Sequence, residues 1–104
     1  MNLVFEKIPE WQELDRCMDF VNLRILEQIY IPKAKATVLY ELSRKLKRYG
    51  IKELRIARRL KTLEKIGVIK IIHKSRPLGV WGNPRIELHI QFKILEAKKL
   101  LGVE

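Results

Sequence analysis

Apolar residues recur at steps of three and four over the first third of the chain, which is the spacing of one buried helix face. Proline suits the first position of a helix, so this helix is expected to begin at Pro9. It is expected to end at Tyr30, because the residue before Pro32 is pushed out of helical geometry. The pattern therefore predicts a helix over 9–30 with this buried stripe: Trp11, Leu14, Met18, Val21, Ile25 and Ile29.

A second helix fits residues 37–48, with Thr37 as its N-cap and its leucines facing inward. Gly50 supplies the left-handed turn that ends it. The four residues before it, 33–36, form either a connection or a very short strand. Basic residues crowd the C-terminal end of this helix, where the helix dipole favours cations.

A third helix is predicted over 51–66 and is closed by Gly67. At 100° per residue, Ile56, Leu60 and Leu63 fall within one narrow arc, which is expected to hold the helix to the core. The opposite half of the helix is polar and mostly basic, and it carries Arg55, Arg58, Lys61, Thr62 and Lys65.

Beyond Gly67 the hydrophobic period changes from 3.6 to 2. Residues 68–73 are predicted to form one strand, and 86–92 alternate apolar with polar residues as a second strand would. The twelve residues between them hold two prolines and two glycines, which is typical of a hairpin loop. We therefore predict a hairpin over 68–92, followed by a short C-terminal helix over 93–101.

The order of these elements predicts a single α+β domain over residues 1–104. Three helices precede a two- or three-stranded sheet, and a short helix follows it. Two helices joined by a tight glycine turn and followed by a hairpin make a helix-turn-helix with a wing.

Charge is distributed unevenly along the chain. Residues 33–76 hold fifteen basic residues against three acidic ones, whereas residues 1–32 hold three against six. The whole chain has 22 Lys and Arg against 12 Asp and Glu, a net charge of +10. A solvated surface rich in Lys and Glu would explain a high charge but not a block of one sign. The block favours a polyanionic partner and predicts binding to nucleic acid.

Several other classes of function have little support in the sequence. Cys17 is the only cysteine, so we expect no disulfide within the chain. His73 and His89 are both on predicted strands and lack neighbours spaced as metal ligands. We therefore expect no bound metal and no other cofactor. The chain has no triad-like spacing of Ser and His and no glycine-rich phosphate loop, so it is not expected to be an enzyme. No apolar run approaches the roughly 20 residues of a membrane span, and the acidic N-terminus is unlike a secretory signal, which predicts a cytoplasmic protein.

The segment RIARRLKTLEKIGVIKII at 55–72 resembles the third helix and following strand of winged-helix transcription regulators, particularly small ones of archaea and archaeal viruses. The resemblance extends over about 36–92, and its pattern is carried by Leu60, Leu63, Glu64, Gly67, Val68 and Ile69. It implies a third helix in the major groove of double-stranded DNA, a wing that touches phosphate or the minor groove, and often a homodimer.

We expect the third helix to carry the sequence-reading contacts, with Arg58 the best candidate to contact guanine and Arg55 and Thr62 close to it. Arg59 lies on the flank of the helix, where it would reach a phosphate. The remaining candidate contacts are basic residues near the second and third helices and the wing: Lys33, Lys35, Lys52, Lys61, Lys65, Lys74, Arg76 and Arg85.

Two alternatives to DNA binding remain open, and a homodimer is expected with DNA binding. The partner could be structured RNA, since some ribosomal proteins are basic winged helices. The fold could also serve only for protein interaction, and Val80 and Trp81 would then be the contact surface. If Trp81 has a structural role instead, we expect it to fold back and cap the hairpin. A homodimer would use the acidic first helix, the C-terminal helix, or both, through Ile94, Ala97 and Leu101.

Overall fold

The computed structural model describes residues 5, 7–32, 36–72 and 79–102. Within them, five α-helices and one three-stranded antiparallel sheet confirm the α+β class. The helices are α1 (Trp11–Arg16), α2 (Phe20–Tyr30), α3 (Leu39–Leu46), α4 (Glu53–Ile66) and α5 (Glu87–Leu101). The strands are β1 (Ala36–Val38), β2 (Ile69–Ile72) and β3 (Gly79–Gly82). In this part of the chain, no helix combines the length and apolar character that crossing a bilayer requires.

Helix α2 is the centre of the core. Eight of its eleven residues are buried, among them Leu23, Ile25 and Leu26, which have no exposed surface. Helix α5 packs along α2, and α2 also contacts α3, β1 and β3. Cys17, just before α2, is buried, and burial raises the pKa of its thiol to about 11. Because α2 is covered all round, it fixes the positions of the other elements.

The single helix predicted over 9–30 is wrong, because the chain breaks between α1 and α2. The side chain of Asp19 accepts a hydrogen bond of 2.9 Å from the Asn22 N–H and so starts a new helix. The break turns Trp11 away from the core, where the stripe had placed it, and its side chain is mostly exposed. Its ring meets the His89 ring edge-on, with 4.3 Å between the centroids.

The predicted helix over 37–48 begins two residues late and ends earlier. Thr37 is not an N-cap but lies in β1 opposite Val80, since β-branched residues fit a pleated sheet. After α3 the chain tightens into a 3₁₀ turn, Lys47–Tyr49, and Gly50 then adopts the predicted left-handed conformation, with φ of 75°.

Strand β3 is the middle strand of the sheet, between β1 and β2. Its register places Trp81 opposite Ala36 on one side and Lys70 on the other, and Gly79 opposite Ile72. Residues 73–78, which join β2 to β3, lie outside the described residues, and so does His73.

The second strand predicted over 86–92 is wrong, because Ile86 ends a 3₁₀ turn and residues 87–92 form the first part of α5. The spacing from Ile86 to Ile90 fits both a strand and a helix, and it continues at helical steps to Ile94 and Ala97. These residues are buried, so Ile94 and Ala97 cannot form the dimer contact expected of them. The strand that pairs with β2 is β3 instead, inside the predicted loop, and His89 lies on α5.

A buried hydrogen-bond cluster joins α2 to the sheet. The Tyr30 hydroxyl donates to the Val68 carbonyl and accepts from the Asn83 N–H at 2.7 Å. The Asn83 side chain, with no exposed surface, donates to the Gly67 carbonyl at 2.9 Å and accepts from the Arg85 N–H at 3.0 Å. Burial raises the pKa of the Tyr30 phenol above its ordinary value.

Gly82 is required by this cluster. A Cβ at position 82 would lie 2.8 Å from two atoms of the Tyr30 ring, which its hydrogen bonds hold in place. We expect Gly82→Ala to lower the free energy of unfolding by about 1–3 kcal/mol, measured by urea denaturation.

Gly79→Ala is the matched control. A Cβ at position 79 would first meet side-chain atoms, and the nearest of them is the Trp81 ring nitrogen at 3.3 Å. We expect Gly79→Ala to cost clearly less than Gly82→Ala. Equal losses for the two variants would contradict the steric role of the Tyr30 ring.

Candidate nucleic-acid interface

Helix α4 is held to the core along one narrow stripe. Ile56, Leu60 and Leu63 are buried, as the helical spacing predicted. Its start is fixed by the turn at Gly50 and by the buried side chain of Ile51. Its end is fixed by Gly67, with φ of 91°, where a Cβ would lie 2.5 Å from the Lys7 carbonyl oxygen. The orientation of α4 is therefore set at both ends and along its inner face.

The outer face of α4 is exposed and basic. We call this set of residues the α4 outer face: Lys52, Leu54, Arg55, Arg58, Lys61, Thr62 and Lys65. Within the part of the chain that the structure describes, none of its basic residues forms an ion pair. The Thr62 hydroxyl donates to the Arg58 carbonyl at 3.2 Å, which leaves its oxygen able to accept a further hydrogen bond.

Arg59 differs from its neighbours on α4. It is half-buried and pairs with Asp19, the residue that caps α2. This pair links α4 to α2, so a phosphate contact by Arg59 would compete with a carboxylate already in place.

Of the other predicted contacts, Arg85 lies within the described residues and the remaining four do not. Arg85 is exposed in the 3₁₀ turn Pro84–Ile86, next to the start of α5. Lys33 and Lys35, before β1, and Lys74 and Arg76, between β2 and β3, lie outside the described residues.

Most ion pairs of the described residues lie away from the α4 outer face. The acids of α1, α2 and α3 find bases on their own or neighbouring elements, as follows: Lys7 with Glu13 at 3.7 Å, Lys93 with Asp15 at 3.0 Å, Arg24 and Lys98 with Glu27 at 3.1 and 3.7 Å, and Arg44 with Glu41 at 2.7 Å. The acidic charge is thus neutralised locally, and the positive charge of α4 is left uncompensated.

An open groove of about 570 Å³ lies between α3 and the start of α4. Its polar lining consists of Tyr40, Ser43, Arg44, Lys47, Lys52 and Glu53. The Ser43 hydroxyl oxygen is buried and has no hydrogen-bond partner among the described residues. No side chain caps the first turn of α4, so its N–H groups are available to an acceptor. A phosphate oxygen would find donors and positive charge here.

Two exposed residues near this groove were missed by sequence reasoning. Leu54 is 64% exposed on the α4 outer face, and Tyr40 on α3 is 69% exposed. Leu54 could have been identified, because a rotation of 100° per residue places it opposite Ile56, next to Arg58 and Lys61. For Tyr40 the periodicity of the short helix α3 offers no comparable signal.

Trp81 and Val80 do not form an exposed contact surface. Val80 is buried, and Trp81 is half-buried in the middle strand of the sheet. Trp81 is thus a residue of the sheet rather than of the loop predicted there, and Val80 does not supply the exposed contact expected of it in a protein-interaction surface. Within the described residues, no group of His, Cys, Asp and Glu side chains could hold a metal ion.

Glu64 connects α4 to the sheet. Its carboxylate accepts a hydrogen bond of 2.6 Å from the Ile71 N–H. This N–H lies on the edge of β2 that faces away from β3. The bond therefore fixes β2, and the hairpin that continues from it, relative to the α4 outer face.

Comparison of the chain with known protein families, with curated proteins and with solved structures gives no match in any of the three.

We expect Glu64→Ala to free the Ile71 amide, because no other described group accepts its hydrogen bond. Hydrogen exchange of this amide, followed by NMR, should become about tenfold faster or more. Lys61→Ala, one turn earlier on the same helix, is the control and should leave the rate unchanged. An unchanged rate in Glu64→Ala would show that the carboxylate does not fix β2.

Proposed function

We propose that this protein binds double-stranded DNA as a winged helix-turn-helix transcription regulator, with α4 in the major groove. The observation that carries the proposal is the α4 outer face: exposed basic residues without ion-pair partners among the described residues, on a helix held rigidly by its opposite side. Such a helix can enter a groove without rearrangement of the core.

The order of elements supports the winged helix-turn-helix arrangement. Helices α3 and α4 are joined by the left-handed Gly50, and β2 and β3 form an antiparallel pair directly after α4. Strand β1 completes a small sheet beside them. The connection between β2 and β3 would serve as the wing, and its predicted bases, Lys74 and Arg76, would supply a second contact to the DNA backbone.

An exposed helix favours duplex DNA over duplex RNA. The major groove of B-form DNA is about 12 Å wide and admits an α-helix, whereas that of A-form RNA is too narrow and deep for side chains to read. Single-stranded RNA is often bound by bases stacking on several aromatic side chains of an exposed sheet. In the described strands of this chain the aromatic residue is Trp81, and it is half-buried.

Each residue of the α4 outer face has a role in this proposal. Arg58, near the middle of the helix, donates both arms of its guanidinium to guanine, and Arg55 and Thr62 address neighbouring base pairs. Leu54 offers an apolar contact to a thymine methyl group. The lysines bind phosphate, and the groove between α3 and α4 holds one phosphate of the backbone.

The proposal predicts that Arg58→Gln with Lys61→Gln weakens DNA binding. Fluorescence anisotropy with a labelled random duplex, over a range of salt concentrations, measures it. If the wild type neutralises about six phosphates, the slope of log K against log salt is roughly −5. We expect the double variant to bind about tenfold more weakly or worse, with a slope that is smaller by about one for each phosphate that it no longer neutralises.

Lys7→Gln with Arg16→Gln is the matched control, because it removes the same charge from exposed positions at and before α1. It should leave both affinity and slope nearly unchanged. Equal losses in the two double variants would reduce the interaction to net charge and contradict a specific role for α4. A structured RNA that displaces the duplex at equal concentration would identify RNA as the partner instead.

A further inference from the structure

Arg59 is the only base of α4 that forms an ion pair among the described residues. Its guanidinium binds the carboxylate of Asp19, at the start of α2. Arg59 follows Arg55 by four residues and precedes Thr62 by three, so it borders the α4 outer face. An acid from another helix therefore neutralises the base at the edge of the surface proposed to meet DNA.

Asp19 uses its two carboxylate oxygens for two separate contacts. Oδ1 accepts the hydrogen bond of 2.9 Å from the Asn22 N–H that caps α2, and Oδ2 binds Arg59. Because the cap needs only Oδ1, α2 stays capped when Arg59 leaves. Asparagine is as good an N-cap as aspartate, so an asparagine at position 19 would keep the cap and remove only the charge.

The pair contributes little to holding α4 in place. The side chains of Arg59 and Asp19 are 31% and 47% exposed, and an ion pair in contact with water adds little to stability. Helix α4 is already fixed by its buried stripe of Ile56, Leu60 and Leu63 and by the glycine turns before and after it. The main effect of the pair is therefore on the charge of the surface, where Asp19 neutralises one cation of α4.

We propose that Asp19 keeps Arg59 from binding the DNA backbone and so limits the affinity of the α4 outer face for duplexes. Arginine binds carboxylate and phosphate oxygens through the same guanidinium N–H groups, so the carboxylate of Asp19 occupies a donor that a phosphate would otherwise use. This inference rests on the proposed DNA binding by α4, and it adds a residue outside α4 that sets the strength of that binding.

Asp19→Asn tests the proposal, because it keeps the cap of α2 and frees Arg59. By fluorescence anisotropy with the labelled random duplex, we expect this variant to bind about twofold to fivefold more tightly than the wild type at the same salt concentration. One additional phosphate contact should steepen the slope of log K against log salt by about 0.9. A phosphate contact carries no sequence information, so the same gain is expected for a duplex with a preferred site.

Two further variants separate the effect of Arg59 from that of net charge. In an Arg59→Gln background, Asp19→Asn should leave the salt slope unchanged, because no guanidinium is present to bind the additional phosphate. Asp15→Asn is the matched control, since it removes the same charge from an ion pair between α1 and α5, in which Asp15 lies 3.0 Å from Lys93. It should leave both affinity and slope nearly unchanged.

Thermal unfolding verifies that each variant is folded, and Asp19→Ser, a second uncharged capping residue, should bind as Asp19→Asn does. An Asp19→Asn variant that binds no more tightly than the wild type, or that steepens the slope equally with and without Arg59, would overturn this inference and leave DNA binding by α4 intact. A wild type that binds no duplex at low salt would overturn the proposed function and this inference together.

Discussion

Burial of α2 on all sides is the constraint on which the other elements depend. A chain of 104 residues has a small core, and here one helix occupies its centre. Polar groups carried inward by α2 need partners: Arg24 pairs with Glu27 and lies over the Tyr49 ring, and Tyr30 bonds to Val68 and Asn83. These contacts determine where α3, the sheet and the start of α5 can lie.

The distribution of charge follows from this packing. Helices α1, α2 and α5 bring their acids close to bases, so the side of the molecule built from them is largely neutralised. Helix α4 contributes only apolar residues to the core and keeps Arg55, Arg58 and Lys61 in solvent. In a folded chain of net charge +10, the described part of α4 thus keeps a group of cations free to bind an anion. This separation is the physical basis of the proposed function.

Sequence reasoning predicted α4 well, because Ile56, Leu60 and Leu63 allow only one buried face and glycines close both of its ends. It failed where one pattern fits two structures. The residues after Ile86 alternate as a strand does, and only the continuation to Ile94 and Ala97 separates helix from strand. The break at Asp19 was missed because the apolar stripe runs through it. The exposure of Leu88 and Phe92 was missed for the same reason as α5, since both residues were placed on a strand.

An NMR titration with a duplex that carries a preferred site, chosen by selection from random DNA, tests the central claim most directly. If α4 binds DNA, amide shifts change along residues 52–65 and beside the groove next to Ser43. Amides of α1 and of the outer side of α5 should keep their positions. Shifts confined to α1 or α5, or no shifts at low salt, would contradict a DNA-binding role for α4.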